Sequence, residues 1–315
     1  MNSFIIALNA VIPFMIYITF GYGVRRMGLT DEAFLKRLNQ MVFKAFFPVM
    51  MFYNMYSKEP GVALNLCLVA AALLSLAILV LISLILVPRL VEGSKRQGVI
   101  IQAVYRSNFV LFAVPLMENV YGSEGAAVAT MLVAVVVPIY NIIAVIVLEY
   151  YGHGGGKISP LQLLKGVVTN PLISGTVVGF LFYMLQIHFP ACVEKPISQF
   201  AALSTPLALF ILGGTLKFDS MLHNMKYIAS TLFIKLIILP GIMIPICAVL
   251  PLRPVERFLI FCMYGTPVAA SSYAMAQNMG CDGDLAGEFV VVSTTASVFT
   301  IFLWVFLMNQ LGMLA

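Results

Sequence analysis

Gln102-Ala-Val-Tyr-Arg106-Ser-Asn108-Phe-Val-Leu-Phe-Ala-Val-Pro115 is the stretch whose reading decides the fold. It lies in a hydrophobic run, residues 97–117, yet carries an arginine, two amides and a proline where a bilayer helix should be least interrupted. A second run, 258–281, is interrupted in the same manner by Tyr264-Gly265-Thr266-Pro267-Val-Ala-Ala-Ser271-Ser272-Tyr273. Backbone freed from a helix at membrane depth is tolerated only where protein or a water-filled cavity surrounds it. Breaks in matching places of two halves therefore point to a transporter's binding site. Pro115 has no N–H to give residue 111, which predicts that the first segment opens or kinks between Asn108 and Pro115. Gly265 and Pro267 weaken the second. If the two openings cross at mid-membrane, two half-helix N-termini present free N–H groups and positive dipole ends to one point, which suits a carboxylate. Each segment taken alone also fits an ordinary proline kink.

Working outward, the chain is 61% hydrophobic and 10% charged over 315 residues, far too apolar for a soluble domain. Ten apolar runs approach the roughly 20 residues that cross a bilayer. They are 3–24, 38–57, 61–88, 97–117, 125–148, 166–187, 196–216, 227–252, 258–281 and 289–313. The first is followed, not preceded, by basic residues (Arg25, Arg26), the reverse of a secretory signal, and is read as a retained helix. The expected fold class is an all-α integral membrane protein of ten transmembrane helices.

The glycine-rich stretch 151–165 divides the chain into 1–150 and 166–315, five runs each. An odd number of crossings makes any repeat an inverted one. Pro48 and Pro206 lie 158 residues apart, as do the Gly-x-acid-Gly stretches at Gly122–Gly125 and Gly280–Gly283, and Asn9 with Pro13 is loosely echoed by Asn170-Pro171. Alternate loops hold Arg25, Arg26, Lys36, Arg37, Arg89, Lys95, Arg96, Lys157, Lys165, Lys217 and Lys226, against Lys58, Lys195, Arg253 and Arg257 in the others. That bias puts the first set in the cytoplasm and both termini outside. The net charge of +5 needs no nucleic acid to explain it.

Enzyme signatures are missing. His153-Gly154-Gly155-Gly156 has no GxSxG partner, Gly156-Lys157 lacks the earlier glycine of a P-loop, and Gly283-Asp284 has no second intramembrane carboxylate. Five cysteines without CxxC spacing read as small buried apolar residues, so no metal, cofactor or disulfide framework is indicated. Gly175-x-x-x-Gly179 reads as a helix-packing face.

Three cations fall within the runs: Lys44, Arg106 and Lys235. Snorkelling or carbonyl capping is open for Lys44 and Lys235, whereas Arg106 adjoins a break. All 13 acidic residues lie in loops or at span ends, so the interior favours a negative cargo and lacks the aspartate pair of a sodium/proton antiporter. A coupled ion, H+ or Na+, would rest on oxygens of Gln102, Asn108, Asn141, Ser271, Ser272, Gln277 or the backbone. Asn141 either pairs with a neighbouring carbonyl or faces the cavity. The candidate substrate-binding residues are Asn108, Arg106, Gln102, Pro115, Thr266, Pro267, Ser271, Ser272, Asn141, Lys44 and Lys235.

The ten-span outline, Asn108 seven residues before Pro115-Leu116, Asn170-Pro171, Leu239-Pro240, the Pro267 segment and the Gly-x-acid stretches before runs five and ten resemble a bacterial member of the auxin efflux carrier family, relatives of the plant PIN-formed carriers. The resemblance spans essentially the whole chain. It implies a scaffold of spans one, two, six and seven, a mobile part of spans three to five and eight to ten, and a crossing at spans four and nine. It implies alternating-access transport of a small organic anion, auxin in plants and dicarboxylates such as malate or malonate in some bacterial relatives. Asn108 then contacts cargo, and Pro115 and Pro267 belong to the crossing. The long central loop of many plant carriers is replaced by the short glycine-rich linker. The expected location is the bacterial inner membrane, with a homodimer left open. An anion-binding sensor or channel-like subunit is the alternative function.

Overall fold

The computed structural model describes residues 3–57, 65–155 and 159–314, so Lys58, Lys157 and the chain ends lie outside the described residues. α1 (Ser3–Arg26) is followed by α2 (Glu32–Met41), which starts where Asp31 accepts the Phe34 amide at 2.6 Å. A π-helical turn, Val42–Phe46, leads without a gap into α3 (Phe47–Tyr56). α4 (Leu66–Leu90) opens on Asn65, which accepts from the Cys67 amide. Then come α5 (Ser94–Tyr105) and α6 (Phe109–Gly152).

α7 (Pro160–Val168) carries a Ser159/Gln162 capping box, and α8 (Pro171–Met184) starts at Asn170, whose side chain accepts from Leu172. The residue before a proline is driven out of helical geometry, and α7 and α8 meet there at 60°. α9 (Ala191–Thr215), the short α10 (Phe218–His223), α11 (Met225–Phe233), a second π turn (Ile234–Ile238) and α12 (Leu239–Val249) follow. α13 (Pro254–Gly265), α14 (Ser271–Asn278) and α15 (Gly283–Gln310) complete the chain.

Among the described residues every element is helical and no strand forms. Five helices are long and apolar enough to cross a membrane, Leu66–Leu90, Phe109–Gly152, Ala191–Thr215, Met225–Val249 and Gly283–Gln310, and a sixth crossing results if the bent pair α7–α8 is one span. Their outer faces carry exposed apolar side chains, such as Ile78, Leu81 and Ile85 on α4 and Phe299, Leu303 and Phe306 on α15. So much exposed hydrocarbon suits lipid rather than water. The chain is a multi-pass membrane protein.

At 44 residues α6 would run to about 66 Å if straight, roughly twice the hydrocarbon thickness. It turns at Gly122, whose φ of 65° and ψ of −150° only glycine adopts readily. At about 1.5 Å per residue, α5 and α13, with 12 residues each, and α14, with 8, are too short to cross alone; α5 and α13 end where the chain breaks and α14 begins after the second break.

The helices pack as two groups. In one, α1 lies on α9, and α3 lies on both α8 and α9. The approach is backbone to backbone: a Cβ added at Gly213 would stand 1.9 Å from the Ile18 carbonyl oxygen, and one at Gly21 1.9 Å from that of Phe210. Gly175 and Gly179 meet the Pro48 and Phe52 carbonyls in the same way, so this pair is the packing face its spacing indicates. In the other group α5 packs on α4 and α6, α13 on α6 and α12, and α15 on α14 and α5. α1 touches α15 and α6 across the division.

Candidate functional site: a crossing of broken helices

Both interrupted segments break, and the breaks touch. α5 ends at Tyr105, Arg106 is extended, and α6 starts after Asn108. α13 ends at Gly265, and Thr266, which precedes Pro267, is extended at φ −87° and ψ 156°. Ser107 and Val268 form an antiparallel bridge, and the Asn108 amide donates to the Pro267 carbonyl at 2.7 Å. The Val268 amide is taken by Ser293 Oγ at 3.0 Å. The crossing thus satisfies backbone groups that the missing helical turns leave free.

The first opening is not where Pro115 predicts it. It falls at Arg106–Asn108, before Asn108, and α6 runs on through Pro115. Pro115 is exposed, and its carbonyl accepts from Asn119 Nδ2 at 2.7 Å. A proline removes one helical bond at its own position, whereas the break is set by the pairing with the Pro267–Val268 strand.

A cavity of about 480 Å³ lies against the crossing. One wall is Arg106–Leu111, Asn141 and Ala269–Ser271, so the first turns of α6 and α14 face it with their N-terminal ends. The other wall comes from the first packing group: Pro13 and Tyr17 of α1, Met50–Met51 and Tyr53–Asn54 of α3, and Ser198, Thr205 and Pro206 of α9. On α1 and α9 the lining residues lie about mid-helix and on α3 toward its C-terminal end, apart from Arg25, Arg26, Lys36 and Lys217. Those basic residues border a separate polar cleft of about 790 Å³, with Glu32, Gln277 and Asp284. Along that cleft Asn39 Nδ2 donates to Gln277 Oε1, Thr215 Oγ1 and the Tyr273 hydroxyl share a hydrogen bond of 2.9 Å, and Lys217 pairs with Glu32 and Asp284.

Among the described residues Arg106 is the one charged residue on the cavity wall, and it is 3% exposed. Its Nη2 donates to Asn141 Oδ1 at 2.6 Å and Ser271 Oγ at 2.9 Å, with Met275 Sδ against Nη1. No carboxylate pairs with it among the described residues. Two buried acids are held elsewhere: Glu256 by Arg253 and Asn65, and Glu288 by Asn224. Asn108 also lines the cavity, and its Nδ2 is buried without a partner.

Of the residues singled out from the sequence, Arg106, Asn108, Asn141 and Ser271 are brought together on the cavity wall. Gln102 is buried behind them, with Nε2 toward Met275 Sδ, and Ser272 is buried beside Ser271 without lining the cavity. Thr266 is fully buried and gives its hydroxyl to the Cys262 carbonyl at 2.8 Å, so it caps α13 and does not face the cavity. Pro267 contributes only its carbonyl to the crossing. Lys44 is exposed on the outside of its π turn, because Val42, Phe43 and Phe47 take the buried face. Lys235 is fully buried and points at the crossing from behind. Sequence reasoning missed Tyr17, Tyr53, Asn54, Ser198 and Thr205; polar side chains in otherwise apolar runs were the available signal.

A profile of the membrane transport protein family matches residues 6–305. A protein described as an uncharacterized transporter, from Methanothermobacter thermautotrophicus, is 21% identical over 299 residues, covering 94% of this chain and 96% of that protein. A match over nearly the whole length, on a chain whose two broken helices cross beside a cavity, leads to one conclusion: this protein belongs to the membrane transport protein family, that of the auxin efflux carriers.

Proposed function

We propose that the protein is a secondary carrier that moves a small organic anion, a mono- or dicarboxylate, by alternating access. The observation that carries this reading is Arg106: a buried guanidinium on a cavity wall, without a carboxylate partner and beside two helix N-termini. An unpaired buried charge is costly, and a carboxylate taking its remaining N–H groups, Asn108 Nδ2 and the backbone amides of Phe109–Leu111 would offset that cost. The cavity size is that of small-molecule sites, roughly 300–1,000 Å³.

Ten crossings follow if α5 with the first part of α6, and α13 with α14, are each one interrupted span. The division into 1–150 and 166–315, joined by the linker 151–165, then makes two inverted repeats. Ser204 Oγ donates to the Phe46 carbonyl at 2.9 Å, and these residues are separated by the same 158 positions as Pro48 and Pro206. Equivalent points of two repeats meet in this way near a two-fold axis. The α1–α3–α8–α9 group is the scaffold in this reading, and the group holding the crossing is the mobile part. With the basic ends in the cytoplasm of a bacterial inner membrane and both termini outside, the cavity belongs to an outward-facing state.

Purified protein in liposomes tests the reading. Saturable uptake and counterflow of labelled malate, malonate or a monocarboxylate, lost in Arg106→Gln, supports it. No uptake or exchange across a broad anion panel overturns it, and steady, unsaturated current without counterflow marks a channel instead.

A further inference from the structure

A crossing of broken helices has a negative pole as well as a positive one. The ends of α5 and α13 each leave last-turn carbonyls without helical donors. Side chains answer several of these: Thr266 takes Cys262, and Ser107 Oγ donates to the Met263 carbonyl at 2.6 Å. The remaining donor is Lys235, which arrives from the π turn Ile234–Ile238. Its Nζ donates to the Val104 carbonyl at 3.3 Å and to Ser107 Oγ at 2.9 Å. Lys235 is fully buried, lies off the cavity wall, and forms no ion pair among the described residues. The carbonyl end of α5 directly, and that of α13 through the Ser107 hydroxyl, are thus its counter-charge.

In transporters with interrupted helices, unwound carbonyls and half-helix C-termini are where a coupling cation is held. We infer that Lys235 is a tethered cation occupying that place: its ammonium supplies the positive charge that a bound Na+ would supply, and it ties α5 to α13 through Ser107. Arg106, next in the chain to Ser107, is thereby positioned toward the cavity. Lys235 is a positioning residue and touches no cargo. Only the consequence for coupling rests on the carrier reading: anion movement needs no Na+.

The test uses purified full-length protein and no transport step. A ligand that binds the folded state raises the melting midpoint. Wild type is expected to melt at the same temperature, to within about 1 °C, in NaCl, KCl and choline chloride of equal ionic strength. Lys235→Met, which keeps the volume and removes the charge, is expected to melt lower. Lys235→Ala is expected to melt lower still and to recover at least half of its loss in methylammonium chloride but not in choline chloride, a rescue that lost packing alone would not show. A wild-type midpoint higher in NaCl than in choline chloride overturns the inference. So does Lys235→Met melting like wild type, or Lys235→Ala showing no response to methylammonium. The wild-type comparison needs no variant and decides even where a substitution prevents folding. Failure of every anion to be taken up sinks the carrier reading and leaves these midpoints as they are; if uptake occurs, replacing Na+ by choline leaves its rate unchanged.

Discussion

Asn39 Nδ2 donates to Gln277 Oε1 at 2.6 Å, joining α2 of one packing group to α14 of the other beside the polar cleft. With the Thr215–Tyr273 hydrogen bond it fastens one packing group to the other on the side where the basic residues cluster. Each such bond contributes about 1 kcal/mol. Removing both in Asn39→Ala/Tyr273→Phe is expected to raise amide exchange across Ser271–Asn278 by roughly tenfold or more. Unchanged exchange by mass spectrometry would show that the contact does not hold α14.

The proposed preference for an anion is tested at Arg106. A hydrogen bond to a charged group contributes about 1.5–3 kcal/mol, so Arg106→Gln is expected to weaken dicarboxylate binding roughly 10- to 100-fold. Arg106→Lys should recover only part, because an ammonium does not reproduce a guanidinium fork spanning Asn141 and Ser271. Calorimetric titration reads both; wild-type affinity in Arg106→Gln moves the site elsewhere.

Asn108 separates binding from stability. Its Nδ2 has no partner among the described residues, so Asn108→Ala gives up no bond to them from that atom. The melting midpoint is expected to hold while anion affinity falls about fivefold, the worth of one neutral hydrogen bond of about 1 kcal/mol. A fall in stability without a fall in affinity refutes a cargo contact.

Pro115 is predicted to be dispensable for transport. It lies in an unbroken part of α6, exposed and away from the cavity wall. Since proline inside a helix costs about 3 kcal/mol, Pro115→Ala should leave stability equal or higher, with uptake unchanged. Loss of uptake would return the functional break to the Asn108–Pro115 interval.

Glycines at the α1–α9 contact resist any enlargement. Gly213→Val would drive side-chain atoms into the Ile18 carbonyl, and overpacking of that kind costs typically 1–3 kcal/mol or more. A clear drop in melting midpoint is expected, whereas Gly23→Ala, with nothing within 4 Å of the added Cβ, should melt like wild type.

The sequence showed what the broken segments had to be, because arginine, amides and proline at membrane depth are costly without a compensating partner. It also pointed to Arg106, Asn108, Asn141 and Ser271 together. It misplaced the first opening, because Pro115 is a local signal while the Ser107–Val268 pairing joins residues about 160 positions apart. Lys44 and Lys235 looked alike as lone cations in apolar runs, yet one faces outward and the other caps a helix end. Only the helical face each residue falls on separates them. The α1, α3 and α9 wall was hidden for a similar reason: Tyr53, Asn54 and Thr205 carry no charge and interrupt nothing.

Because α1 and α9 touch through bare backbone at Gly21 and Gly213, the distance between them is already at its minimum and any larger residue there pries them apart. That wall cannot be pushed back to admit a bulkier solute. Under the proposed carrier function, retuning for cargo of another size therefore falls to the side chains that fringe the cavity, first of all the pliant thioethers of Met50 and Met51 and the ring of Tyr53, which can be trimmed one at a time while the frame behind them keeps its shape.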